Sequence, residues 1–441
     1  MADAGCGLCA AELPAEWVLS YQDGDPSGER ARETMLTVGN GYLATRGAAP
    51  EAVADAHHYP GTYVAGVYNR LTSTIDGQSR EDESIVNLPN WLPVTFRPVR
   101  GEWFAPGVWD RVHEHTALDL RHGVMSREIV VVDDQGRRTR IRQRRLASMA
   151  APHIAALETR IIPENWSGRV ELRIALDGRV ENTNVPTFAG LASQHLNVIE
   201  TGCDGANLMW LVAETVNSKL RIAEVARTLI YQGGLEQRAD RRTLSEPGFI
   251  GQGLEVDIGE GEEVVIDKCV AIFTSRDRAI AEPLVAAREE IAHSASFDDL
   301  LHAHAAAWHR LWQRFRVGLD DRDDMRLPVN VHIFHLLQTL SPHTADLDAG
   351  VPAAGLHGES YRGHIFWDEL FVFPFLNFRL PELTRALLRY RHRRLPQARR
   401  RAAARGGGGR PAPGGGAPLP LIPPCPAHQS PPGISRVPPP P

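Results

Sequence analysis

The sequence predicts a multidomain β + α chain, and three observations carry that prediction. From about residue 110 to 275, apolar and polar residues alternate in short runs separated by turn signals; after Arg276 the spacing becomes helical; past about Arg405 all periodicity is lost. At 441 residues the chain exceeds the usual single-domain range and has ample length for two cores.

The runs Arg127–Val132, Arg140–Leu146, Ile154–Ile162, Arg169–Leu176 and Val264–Phe273 read as strands. Asp134-Gln135-Gly136, Asn165-Trp166-Ser167-Gly168 and Asp177-Gly178 separate them, and short antiparallel strands at this spacing predict a sandwich. Arg138, Arg140, Arg142 and Arg144 share one face of a strand and read as a solvated sheet face.

Leu301, Ala305, Trp308, Leu311, Trp312 and Phe315 recur at helical spacing behind Asp298, a candidate cap, and predict a connecting helix. A second helix has Pro328 at an early position, Ile333, Leu336, Leu337 and Leu340 on one face, and Ser341-Pro342 as its stop. A third follows Pro381, with Leu383, Leu387 and Tyr390. Between them, Ile365–Phe375 is apolar nearly all round, the pattern of an element buried inside a helical domain. With so few helices to cover them, the Ile365–Phe375 and Leu383–Tyr390 faces are also expected to stand exposed.

The expected division is a flexible N-terminus at 1–14, a β domain at 15–278, a helical linker at 279–326, the start of a helical domain at 327–404 and a disordered Pro/Gly-rich tail at 405–441. The last acidic residue is Glu382, and the tail holds 13 Pro between 411 and 441. This abrupt change, in an Arg-rich and Lys-poor sequence, reads as the product of a shifted reading frame.

Residues 1–382 hold 37 basic against 54 acidic residues, a net charge of −17, which argues against nucleic acid as a partner. No apolar run approaches the roughly 18 residues that span a bilayer. The first twenty residues lack the form of a secretory signal, so the expected location is cytoplasmic, with no membrane partner. Cys6 and Cys9 form a C-x-x-C without a second pair, and His57-His58 and His113-x-His115 lack a matching carboxylate cluster. Gly39, Gly41 and Gly47 match neither nucleotide-loop spacing. No metal and no cofactor are expected.

Polar chemistry concentrates in His357-Gly358-Glu359-Ser360-Tyr361-Arg362-Gly363-His364-Ile365-Phe366-Trp367-Asp368-Glu369, beside a deeply apolar run. A pyranose lays its apolar C–H face on an aromatic ring while a carboxylate and an arginine bind its hydroxyls, and Trp367, Asp368 and Arg362 supply those types. The competing reading is an Arg–Asp pair tying a loop to the core, with Trp367 as packing.

The segment from Gly355 to Phe375, together with Gly39-Asn40-Gly41-Tyr42-Leu43-Ala44-Thr45-Arg46-Gly47, resembles glycoside hydrolase family 65 over roughly residues 15–400. That family holds phosphorylases of maltose, trehalose and kojibiose, acid trehalases and related α-glucosidases. The resemblance implies an N-terminal β-super-sandwich of galactose mutarotase-like type, a helical linker and an (α/α)6 barrel of six-hairpin glycosidase type, here incomplete. It implies that Trp367 and Asp368 hold the non-reducing glucosyl unit, with Arg362 beside them.

The implied partners are an α-linked glucose disaccharide and, for a phosphorylase, inorganic phosphate; a homodimer is compatible with the resemblance. The phosphorylase pattern Phe-Trp-Asp-Thr-Glu departs here to Asp368-Glu369-Leu370, which leaves phosphorolysis against hydrolysis open. Inversion also needs a general acid. The family's acid and phosphate loop lie downstream of this motif, so no residue of this chain is assigned as catalytic and the chain is expected to be inactive. The alternative is a noncatalytic carbohydrate-binding or interaction protein.

Overall fold

A computed structural model describes residues 13–405 except 76, 279 and 321. The Cys6/Cys9 pair, most of the expected flexible N-terminus and the Pro/Gly-rich tail beyond Arg405 lie outside the described residues.

The β region pairs antiparallel throughout. Its large sheet runs, in spatial order, Val18–Gln22, Asp110–Asp119, Val124–Val132, Arg138–Ala147, Ile154–Pro163, Val264–Thr274, Arg221–Gln232, Leu208–Thr215 and Leu196–Cys203, with Leu235–Glu236 beside Arg221–Gln232. A second sheet runs Arg242–Glu246, Phe249–Ile258, Gly168–Asp177 and Val94–Pro98. Alternation decides how they stack: Val170, Leu172, Ile174 and Leu176 meet Ile222, Ala226, Ile230, Ile266, Val270 and Ile272 in one core. Each such side chain contributes about 1.5–3 kcal/mol by leaving water. The predicted sandwich is present, and each of the five predicted runs lies in a strand.

The arginine row is more than solvated. Arg140 spans Glu128 (2.5 Å) and Glu164 (2.7 Å), Arg142 bonds Glu128 (2.7 Å), Arg144 bonds Glu158 (2.9 Å), and Arg138 pairs with Glu164. Opposite charges on flanking strands turn the row into a cross-strand ladder, which spacing along one strand could not show.

Six helices are described: α1 (Glu29–Met35), α2 (Pro283–Ala292), α3 (Phe297–Phe315), α4 (Asp323–Thr339), α5 (Glu369–Asn377) and α6 (Pro381–Arg405). Ala287 and Ile291 of α2 and Phe297, Leu300 and Leu301 of α3 cover the other face of the large sheet, against Leu146, Ala156, Val225, Cys269 and Ala271. Ser296, not Asp298, caps α3, accepting from Asp299 N at 3.3 Å; Asp298 instead meets Arg144 at 2.9 Å. The second predicted helix starts earlier than expected, so Pro328 is interior to α4.

The helical faces divide. Leu383, Leu387 and Tyr390 of α6 are buried, against expectation, because α5 and the loop ahead of it pack on them. For Ile365–Phe375 both expectations hold in part: Ile365 is buried, whereas Trp367, Leu370 and Phe371 are 64 %, 60 % and 69 % exposed, as expected where few helices cover the segment.

Candidate active site

Two segments more than 300 residues apart are laced into one unit. Asn40 closes its own turn by accepting from Tyr42 N (3.0 Å) and Leu43 N (2.9 Å), and donates to Ser148 O (2.8 Å) and Pro152 O (2.9 Å). Gly41, at φ 85°, takes the left-handed conformation that brings its carbonyl to Thr344 Oγ1 (2.9 Å). Ser341 Oγ donates to Asn40 O at 2.5 Å. The glycine motif is thus a clasp between the β region and the end of α4.

Arg46 carries the clasp to the polar segment. Its guanidinium is buried and donates to Tyr59 O (3.0 Å), Thr34 Oγ1, Arg30 O and His357 O (each 2.7 Å), and Glu33 (3.3 Å). His357 Nε2 lies 2.9 Å from His335 Nδ1 of α4, and burial holds both imidazoles low, at about 4 and about 3.

Glu359 is the most perturbed acid of the segment. Its Oε1 accepts from Tyr59 Oη (2.5 Å) and Tyr63 Oη (3.1 Å), and its Oε2 from Asn184 N (3.1 Å). Burial pushes its carboxyl up to about 7 despite these bonds and the nearby Arg46 charge. Glu369 is also buried, held by Arg391 Nε (2.6 Å) and Val351 N (3.2 Å).

The backbone between them is strained. Tyr361 and Arg362 both adopt left-handed angles (φ 53° and 55°), followed by Gly363 at 69°. A Cβ on Gly363 would lie 2.7 Å from Ile85 Cβ, so this residue also permits close approach to the strand Gln78–Ile85. Tyr68 Oη donates to Gly363 O (2.5 Å), and His364 Nε2 meets Glu83 O (2.7 Å).

The three predicted site residues part company here. Arg362 is buried, pairs with Asp82, and lies over the Phe188 ring at 4.7 Å. It makes the loop-to-core tie of the competing reading, although with an aspartate from the β region. Trp367 and Asp368 stand together at the exposed start of α5; Trp367 meets Phe371 edge-on at 5.3 Å, and no described side chain or backbone group bonds the Asp368 carboxylate.

Sequence reasoning missed Tyr59 and Asn184 in irregular segments, Tyr63 on the short strand Thr62–Val64 and Asp82 on a polar hairpin, all of which meet the motif only in three dimensions. His58 also departs from expectation. Glu29, Glu33 and His58 gather within 4.8 Å, but Glu33 already serves Arg46 and Tyr59 N, and Glu29 serves Arg32. Burial alone would lower His58, yet Glu33 at 3.2 Å, with Glu29 and Asp55, raises it. His113 meets Asp23 at 3.4 Å. Among the described residues no helix is long and apolar enough to cross a membrane.

Comparison with known proteins matches this arrangement. The sequence pattern of the "Glycosyl hydrolase family 65, N-terminal domain" covers residues 19–311, and that of the "Glycosyl hydrolase family 65 central catalytic domain" covers residues 330–413. An uncharacterized glycosyl hydrolase of Mycobacterium tuberculosis is 44 % identical over 385 residues, covering 87 % of this chain and 29 % of that protein. Kojibiose phosphorylase of Caldanaerobacter subterraneus subsp. tengcongensis is 30 % identical, covering 88 % and 49 %. Trehalose 6-phosphate phosphorylase of Lactococcus lactis subsp. lactis is 29 % identical, covering 87 % and 48 %. A solved structure of a kojibiose phosphorylase candidate from human microbiome shares the fold, with a TM-score of 0.76, 20 % identity and coverage of 88 % and 50 %. The chain spans about half the length, or less, of these relatives. With two successive domains matched in order over most of its length, the chain belongs to glycosyl hydrolase family 65.

Proposed function

We propose that this chain carries the donor-sugar side of a site that processes α-linked glucose disaccharides such as trehalose, maltose or kojibiose, by inverting phosphorolysis or hydrolysis. One observation carries the reading: Trp367 and Asp368 are presented together, exposed and with no side-chain hydrogen bond among the described residues, on a loop whose base is locked by Arg362–Asp82. The indole offers a face for the C–H side of a glucosyl ring, and the bare carboxylate accepts from its hydroxyls. Arg362 positions that loop rather than touching sugar. Kojibiose and trehalose 6-phosphate phosphorylases among the relatives support the α-glucoside class and make inorganic phosphate the favoured acceptor.

The nearby acids do not complete the chemistry. Glu359 is sealed beneath two tyrosines and Glu369 neutralises Arg391, so neither is free to protonate a leaving glycosidic oxygen. The general acid is therefore assigned to residues other than these. The same locking favours, as a second reading, a noncatalytic carbohydrate-binding protein.

The test joins the chain to the remaining catalytic-domain sequence of its 44 % identical relative and follows anomer-resolved products with and without phosphate. Turnover of an α-linked disaccharide, lost in Asp368→Ala and in Trp367→Ala, supports the enzyme reading. Near-normal rates in either variant overturn the site, and sugar binding without turnover supports the second reading.

A further inference from the structure

The β domain holds a cleft of about 670 Å³, set against the four-stranded sheet and the loop around Glu51. None of Arg362, Trp367 and Asp368 lines it. Its volume falls in the roughly 300–1,000 Å³ range of small-molecule sites. The wall nearest the segment described above contains Glu181 and Thr183, whose backbone bonds the Tyr59 hydroxyl at 2.6 and 3.1 Å.

Three features of the lining select a ligand. Trp103 folds over the sheet onto two guanidiniums, Arg97 at 4.6 Å and Arg173 at 4.1 Å, which project from the same face of neighbouring strands. Arg97 is held by Glu171 at 2.8 Å, whereas Arg173 makes no hydrogen bond or ion pair among the described residues and keeps its N–H donors available. Elsewhere in the lining the exposed Glu181 takes Ser193 Oγ on Oε2 at 2.6 Å, and no described group bonds its Oε1, which is left as an acceptor.

Charge then narrows the class. The charged lining comprises four carboxylates, Glu51, Asp177, Glu181 and Glu246, against Arg173 and Arg179. Arg179 is already shared between Asp177 and Glu246, each at 2.8 Å. Arg127 in turn neutralises Glu51 at 2.7 Å, so the wall is close to charge balance and suits a neutral ligand better than an ion. A ligand that donates to Glu181, accepts from Arg173 and lays an apolar face against Trp103 carries neutral hydroxyls on a carbon ring.

We infer that this cleft is a second saccharide site, separate from the Trp367–Asp368 surface, which takes a neutral di- or trisaccharide. It anchors a longer glucan or holds a second sugar while taking no part in bond cleavage. The inference is independent of the function proposed above, because it uses none of the same residues.

Calorimetric titration of the full 441-residue chain with trehalose, maltose and maltotriose tests it, with inorganic phosphate and spermidine as contrasting ligands. With the Trp367–Asp368 surface silenced by Asp368→Ala, at least one saccharide still binds, and Arg173→Met in that background weakens the binding about tenfold, the loss of one charge-assisted contact. Glu181→Gln in the same background decides the question by weakening the same binding if Arg173→Met fails to fold. The inference is overturned if no saccharide binds to the Asp368→Ala chain, if the Arg173 and Glu181 variants bind as their Asp368→Ala parent does, or if spermidine or phosphate binds in place of sugar.

Discussion

Tyr59 donates its phenolic proton to Glu359 at 2.5 Å across 300 residues of sequence, and Tyr63, one helical-turn length further along the chain, donates to the same oxygen at 3.1 Å. The bond joins the β region to the strained loop that presents Trp367 and Asp368. The single Tyr59 hydroxyl proton is shared between Glu359 and Glu181 O (2.6 Å), and the same oxygen accepts from Thr183 N (3.1 Å), so removing the hydroxyl disturbs three buried groups at once. Tyr59→Phe is expected to destabilise the chain by about 1–3 kcal/mol and Tyr63→Phe by less, as read by urea unfolding.

Glu359 makes stability depend on pH. Its folded pKa of about 7 lies above the ordinary carboxylate value of about 4.3, so between those limits the folded chain binds more protons than the unfolded one. Its contribution is therefore fully present below about pH 4 and is lost as pH rises through 7, by at most about 4 kcal/mol. Urea unfolding at several pH values should show this slope in the parent and lose it in Glu359→Gln; equal slopes in both would refute the assignment.

Arg46 and Glu33 form a buried pair with side chains 1 % and 0 % exposed. Arg46→Met leaves buried Glu33 with only His58 at 3.2 Å as its charged partner and severs the bond to His357 O, at an expected cost of about 3 kcal/mol. Arg46→Lys should recover little, since a single ammonium cannot reach the five acceptors that the planar fork serves. Thermal unfolding compares the two.

Gly363 and Gly77 have nearly equal backbone angles (φ 69° and 74°), but only Gly363 is crowded, by Ile85. Gly77→Ala should cost about 1 kcal/mol for the left-handed backbone alone, and Gly363→Ala distinctly more. Equal midpoints in urea would show that the close approach to Ile85 relaxes without penalty.

The proposed sugar-facing residues and their support should separate in a stability assay. Trp367→Ala and Asp368→Ala, at exposed positions, are expected to shift stability by no more than about 0.5 kcal/mol. Arg362→Ala leaves buried Asp82 with only Arg80 at 3.6 Å and should cost about 3 kcal/mol. A large loss in Asp368→Ala would mean that the carboxylate is structural, and the proposed site would fall.

The 441-residue chain alone is expected to turn over no maltose, trehalose or kojibiose above background, because Glu359 and Glu369 are both committed to structure and a positioned acid contributes about 10²- to 10⁴-fold. Product analysis on purified protein checks this. Robust turnover lost in Glu359→Gln would instead identify Glu359 as the acid.

Sequence alone determined the β-then-α order, the five strand runs and the segment where polar chemistry gathers, because alternation and helical spacing are local properties of burial. It also showed Trp367 beside Asp368, since adjacency at the start of a helix needs no distant partner. Tertiary structure decided what each polar group does. Arg362 could not be sorted between sugar and core until Asp82 came to it from the strand Gln78–Ile85, and the arginine row could not be read as a ladder without Glu128 and Glu158 on its neighbours and Glu164 at the end of one of them. Glu359 looked like any acid in a polar run until Tyr59 and Tyr63 closed over it. A side chain's charge state and availability depend on desolvation and on partners brought by chain reversal, and neither is encoded at short range.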